Sequence, residues 1–184
     1  MITRNHSADG TLSHAVYSPC ETFRYLLTRE WDSAAPRLLF VMLNPSTASE
    51  LRNDPTVARC EGRARVMRQG AFRVANLFAF RATDPRALRA AADPVGPDND
   101  RMLAASALWA DAVICAWGNH GALKGRAAEA EALLRASGKP LWHLGLTGTG
   151  QPRHPLYVRS DCAPAPWIRP PAEGYLPPPD PRRR

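Results

Sequence analysis

The sequence predicts an α/β fold: a three-layer α/β/α domain with a short central parallel sheet of about four strands, preceded by an N-terminal β-hairpin. Three observations lead there. The continuous apolar run LLFVML at 38–43 has the pattern of a strand buried on both faces. Further apolar runs alternate with segments carrying helix signals, and strands separated by helices imply right-handed crossovers and parallel pairing. Asp-Pro pairs at 54–55 and 84–85 stand where helices must begin, Asp as N-cap and Pro in the first turn.

In chain order, residues 1–12 are polar and are expected to form a flexible N-terminus. Residues 14–19 and 22–31 read as the hairpin, the first arm carrying Val16 and Tyr17 and the second Phe23, Tyr25, Leu26 and Leu27, with turn chemistry at Ser18-Pro19. The strand at 38–43 ends at Asn44-Pro45-Ser46-Thr47, which continues a strand poorly. A helix from Asp54-Pro55 is expected to run to Gln69 and stop at Gly70. A strand at 72–80, a short helix from Asp84-Pro85 and a helix opened by Pro97 and reaching Ala110 follow. Residues 113–117 form the next strand, ending at Gly118. A helix at 122–137 closes on Gly138, and 141–146 is the last core strand. From Ala163 onward the chain is rich in proline; residues 169–184 read as an extended Pro/Arg-rich tail whose first part Trp167 pins to the body. Residues 13–168 are then a single α/β domain.

Composition sets the outer limits. A chain of 184 residues, 45% hydrophobic, is one domain with enough apolar surface to bury a core. No apolar run approaches the ~20 residues of a membrane span, and the start MITRNHSADG lacks a signal-peptide core, so no membrane and a cytoplasmic location are expected. Cys20, Cys60, Cys115 and Cys162 are far apart and make no C-x-x-C pair; no metal and no cofactor are expected. The formal net charge of +7 favours a nucleic-acid or other phosphate-bearing partner, although Arg182, Arg183 and Arg184 of the tail supply three of those charges.

In open α/β sheets, ligands bind outside the carboxyl ends of the strands, so the residues following each strand are the candidates. They are Asn44, Pro45 and Ser46 after the first core strand, Asn76 leading to Arg81 in the second, Trp117, Gly118, Asn119 and His120 after the third, and Arg153, His154, Pro155 and Tyr157 beyond the fourth. Each has a purely structural alternative. Asn44-Pro45 can be only a turn. Asn76 lies in an apolar stretch, so its amide either bonds the backbone or reads a ligand. His120 either caps the next helix or faces a ligand. His154 is held extended by the following proline. His143 alternates within a strand and reads as structural. Gly148 and Gly150 fit neither a Walker loop nor G-x-G-x-x-G, and G-x-S-x-G and H-E-x-x-H are absent, which argues against ATP-driven and serine-hydrolase chemistry.

Two resemblances add to this reading. FVMLNPSTA, Asn76-Leu77-Phe78, Ala116-Trp117-Gly118-Asn119 and His154-Pro155-Leu156-Tyr157 together resemble a bacterial family catalogued as domain of unknown function 1643, over roughly residues 14 to 160. The same order of motifs more distantly resembles the uracil-DNA glycosylase superfamily. Leu43-Asn44-Pro45 is similar to the Asn-Pro first motif of its mismatch-specific uracil and thymine branch. Asn76 takes the place of the strand asparagine that reads the flipped base. Trp117-Gly118 and Lys124 resemble its Leu-Trp-Gly segment with a following lysine, and His154-Pro155 its late His-Pro motif. The chain departs from that pattern in having Ser46-Thr47 after Asn44-Pro45, without a stacking aromatic, and Leu156-Tyr157 after His154-Pro155.

The resemblance implies a glycosylase-like fold and excision of a modified or mismatched base from nucleic acid, with Asn44 and His154 catalytic. Pro45, Ser46, Asn76, Trp117, Gly118, Asn119, His120, Arg153, Pro155 and Tyr157 would bind the substrate. Such an enzyme flips the base out of the stack. His154 would donate to the departing base and Asn44, which cannot ionise, would only orient water. DNA or a nucleotide-like ligand is the implied partner. The alternatives are a nucleic-acid or nucleotide-binding module without turnover, and a hydrolase of free nucleosides or nucleotides.

Overall fold

The computed structural model describes residues 1–168; the expected tail at 169–184 lies outside the described residues. The chain runs β1 (Ile2–Ala8), β2 (Thr11–Tyr17), β3 (Arg24–Glu30), β4 (Arg37–Met42), α1 (Pro55–Val66), β5 (Ala71–Asn76), α2 (Pro85–Ala90), α3 (Asn99–Trp109), β6 (Ala112–Cys115), α4 (Arg126–Ala136), β7 (Leu141–His143) and β8 (Ala165–Pro166). All strands join one sheet in the order β1-β2-β3-β5-β4-β6-β7-β8.

The four expected core strands are adjacent and parallel, as β5-β4-β6-β7. The sheet is nevertheless larger and more mixed than expected. It has eight strands, and β1-β2, β2-β3, β3-β5 and β7-β8 pair antiparallel. The apolar run at 38–43 behaves as its pattern requires. Leu38, Phe40 and Met42 pack with Val57, Cys60 and Ala64 of α1 on one face. Leu39, Val41 and Leu43 pack with Leu103 and Ala107 of α3 and Ala130 and Leu134 of α4 on the other. Among the described residues no helix is long and apolar enough to cross a membrane.

The N-terminus corrects the sequence reading. Ile2–Ala8, expected to be flexible, is paired along its whole length with β2. Its polar residues betray no apolar face because the strand is an edge with both faces largely exposed. The turn was legible: Asp9 and Gly10 both have positive φ, 49° and 71°, the two-residue geometry that Asp-Gly favours in hairpins.

The β2–β3 hairpin contains a second feature that positions the site. Val16 pairs with Leu26 but Tyr17 pairs with Arg24, leaving Tyr25 as the extra residue of a β-bulge. The bulge turns Arg24 to the face of Tyr17 and Leu27, while Tyr25 and Leu26 join the opposite cluster.

Element ends differ from expectation for local reasons. α1 stops before Gln69; Arg68 takes the positive φ of 56°. Gly70 serves close approach instead: a Cβ there would lie 1.9 Å from the Asp32 carbonyl oxygen. The segment before α4 is a 3-10 turn over Asn119–Gly125. β7 is short because the chain bends at Gly145, φ 104°, where His143 Nδ1 accepts from the Gly145 N–H at 2.9 Å. Trp167 packs edge-on against Trp117 with ring centroids 5.4 Å apart.

Candidate active site

A cleft of about 590 Å³ opens at the carboxyl ends of the parallel strands. Of the residues expected to form a site, Asn44, Ser46, Trp117, Gly118, Asn119, His120, Arg153, His154 and Tyr157 line it. Segments from opposite ends of the sequence thus share one wall because β4 and β6 are neighbours at the centre of the sheet.

The loop after β4 is fixed from below. Asn44 Nδ2 donates to the carbonyls of Pro45 at 3.0 Å and Ala82 at 2.7 Å. Its amide nitrogen is therefore occupied and its Oδ1 is the group left to meet a ligand. Arg29 Nη2 holds the Ser49 carbonyl at 2.6 Å, and Arg24 Nη1 bonds that of Ala48. Asp54 closes the loop, accepting from Val57 N at 2.8 Å as the N-cap of α1 and from Ala48 N at 3.3 Å.

His154 has a defined tautomer. It caps a 3-10 turn over Pro155–Tyr157, Nδ1 accepting from the Leu156 N–H at 3.4 Å. The ring proton is then on Nε2, which has no partner among the described residues although the ring lines the cleft. Burial lowers the His154 pKa below the ordinary histidine value and the charge of Asp54 opposes this in part. His154 is thus a neutral donor at pH 7.

Trp117 is buried, its Nε1 donating to Gln151 Oε1 at 2.8 Å. Gly121 lets the following turn lie on its ring: a Cβ there would be 2.2 Å from Trp117 Cδ1. Asn119 accepts from Thr149 Oγ1 at 2.8 Å, and Arg153 Nε donates to the Leu146 carbonyl at 3.0 Å. His120 is exposed, with Nδ1 3.3 Å from Arg89 Nη2. Tyr157 is 80% exposed at the mouth, its ring 5.9 Å from that of His154.

Three expected residues do not line the cleft. Pro45 is buried beneath the loop and Pro155 is the first residue of the His154 turn. Asn76 is 1% exposed at the end of β5, level with Met42, which does line the cleft. It does not bond the backbone: neither Nδ2 nor Oδ1 has a partner. Lys124 reaches the Ala92 carbonyl at 3.5 Å, away from the cleft. Arg81 lines an adjoining trough, which shares Ser46, Ala82 and Thr83 with the cleft and also holds Arg52. Among the described residues, no group of three or more His, Cys, Asp or Glu side chains is placed to hold a metal ion.

The sequence profile of the family described as Protein of unknown function (DUF1643) matches residues 24–156. The chain belongs to this family. No curated protein and no solved structure matches it.

The DUF1643 segment begins at Arg24, which sequence reasoning missed. Arg24 is 2% exposed and lines the cleft. The signal was a lone charge in the otherwise apolar stretch FRYLL. Asp54 was read only as a helix cap; it also faces the cleft, where it supplies a carboxylate that the Asn44-Pro45 motif does not.

Proposed function

We propose that this DUF1643 protein binds a nucleobase extruded from a nucleic-acid strand in the cleft and hydrolyses its N-glycosidic bond. The observation that carries this reading is His154: a neutral imidazole with Nδ1 occupied by the chain and Nε2–H free at the cleft. Such a donor is suited to an oxygen that gains charge only as the base departs. The unpartnered carboxamide of Asn76, buried across from Met42 of the cleft wall, supports the same reading, since it holds one donor and one acceptor for a base edge that reaches past that wall. The glycosylase-like arrangement that the motifs resemble is supported by the parallel order β5-β4-β6-β7 with helices against both faces.

In the reaction, the C1′–N bond breaks and its electron pair leaves with the base, toward the Nε2–H of His154. The oxygen of a water held by Asn44 Oδ1 bonds C1′. The proton lost from that water passes to Asp54 and then to the departing base. Arg52 and Arg81 of the adjoining trough are suited to strand phosphates, so binding falls steeply with salt.

A second reading, binding without turnover, is favoured by one observation. Both Asp54 oxygens already accept backbone N–H groups, and Asn44 stands where a stronger base would help. Screening duplex and single-stranded oligonucleotides with modified or mismatched bases for abasic-site formation separates the two. Release of a base by wild type and its loss in His154→Ala supports hydrolysis. Salt-sensitive binding with no release from any oligonucleotide supports the binding module.

A further inference from the structure

Four arginines are buried among the described residues: Arg24, Arg29, Arg63 and Arg126. Three are well supplied with acceptors. Arg63 holds the carbonyls of Cys162 at 2.8 Å, Val158 at 3.4 Å and Arg159. Arg126 holds Leu77 O at 2.8 Å and the carboxylates of Asp100 and Glu129. Arg29 holds Thr28 O, Ser49 O and Asn53 Oδ1 at 3.3, 2.6 and 3.0 Å. Arg24 differs. It bonds Ala48 O alone, its buried Nε has no partner, and no ion pair among the described residues includes it.

A buried cation without a counter-charge is costly. Burial pushes the Arg24 pKa down to about 10, so it stays charged at neutral pH. At neutral pH the charge of Asp54 favours it, while those of Arg81 and Arg29 oppose it. Asn76, at the end of β5, also buries polar atoms without partners. Asn76 stands across from Met42 in the β4–β5 register, and Arg24 and Met42 line the cleft.

We propose that Arg24 is a catalytic residue that takes the negative charge of the departing base. The inference rests on the base-excision reading and divides the work within it. Neutral His154 supplies a hydrogen bond but no charge; Arg24 supplies the charge, at a site where low dielectric strengthens it. It gives the bulge at Tyr25 a function, because a regular strand would turn Arg24 to the opposite face.

The test measures binding of two free bases, uracil, neutral at pH 7, and 5-nitrouracil, an anion at that pH. Wild type is expected to prefer the anion, and Arg24→Gln to lose about 10- to 100-fold of affinity for it while changing uracil binding less. A merely structural Arg24 would move both affinities together. Arg24→Lys keeps a cation able to reach Ala48 but has no Nε–H. If Arg24→Gln does not fold, weaker 5-nitrouracil binding by Arg24→Lys than by wild type supports the proposal, and unchanged binding overturns it. Absence of an anion preference in wild type, binding of neither base, or an unchanged preference in folded Arg24→Gln also overturns it. Base release from oligonucleotides is scored separately: release by wild type without an anion preference leaves excision standing and removes only the role of Arg24.

Discussion

The cleft at the strand ends and the groove on the N-terminal hairpin enclose similar volumes, about 590 and 540 Å³, but treat their polar groups differently. In the groove, His14 Nδ1 bonds Asn5 Oδ1 at 2.9 Å. Arg73 Nε bonds Thr28 Oγ1 at 2.9 Å, and its guanidinium lies 4.1 Å from the Trp109 ring centroid. No buried side-chain atom without a partner belongs to a residue lining that groove. At the cleft, Arg24 Nε is buried and unpartnered, and so are both polar atoms of Asn76, which lies across from Met42 of the cleft wall. The two differ not in size but in how fully the chain itself supplies partners to the buried polar groups of their walls, and a buried polar group without a partner costs free energy.

The largest expected effect sharpens this contrast directly. His154→Ala should slow base release by about 100- to 1000-fold in single-turnover assays on whichever oligonucleotide the screen identifies. His14→Ala, in the groove, should leave that rate unchanged. Equal losses from the two would break the distinction between the regions.

Next in size is Gly121→Ala. The added methyl must displace Trp117, which carries one wall of the cleft, and overpacking of this kind costs about 1–3 kcal/mol. Urea unfolding should show the loss. Arg73→Met should cost about 1 kcal/mol through its ring contact and its Thr28 bond, with base release unaffected.

How much of this was legible in the sequence follows from where the signals reside. The core strands were readable because burial on both faces leaves an uninterrupted apolar run, as at 38–43. The cleft was readable because parallel strands deliver their following loops to one end, which is how Asn44, Trp117-Gly118 and His154 meet. β1 was not, since a two-sided polar edge strand has no apolar periodicity, although Asp9-Gly10 marked its turn. Arg24 reaches the cleft only through a one-residue bulge, a register event that no local pattern encodes. Asn76 was left between two readings, and its amide makes no bond to the backbone.

A pH experiment probes both regions together. Burial lowers the pKa of His154 in the cleft and His14 in the groove, with Arg73 adding to the latter. The unfolded chain, with histidine near ~6.5, then binds protons more readily than the folded one. Stability should therefore be full above that value and fall as pH drops through it toward the lowered folded pKa values. Urea unfolding at a series of pH values from neutral to mildly acidic checks the direction. His154→Asn should flatten part of the slope, and a slope of opposite sign would contradict the burial of these rings.

The smallest expected change in free energy tests the account most directly. Asn76→Leu replaces a buried carboxamide without partners by an apolar group of similar size. The equilibrium unfolding free energy, measured in urea beside wild type, should be unchanged or higher by up to about 1 kcal/mol, while base binding is lost. A fall in stability of about 2 kcal/mol or more, the size expected when a satisfied polar group is removed from a core, would mean that Asn76 serves the fold and not a ligand.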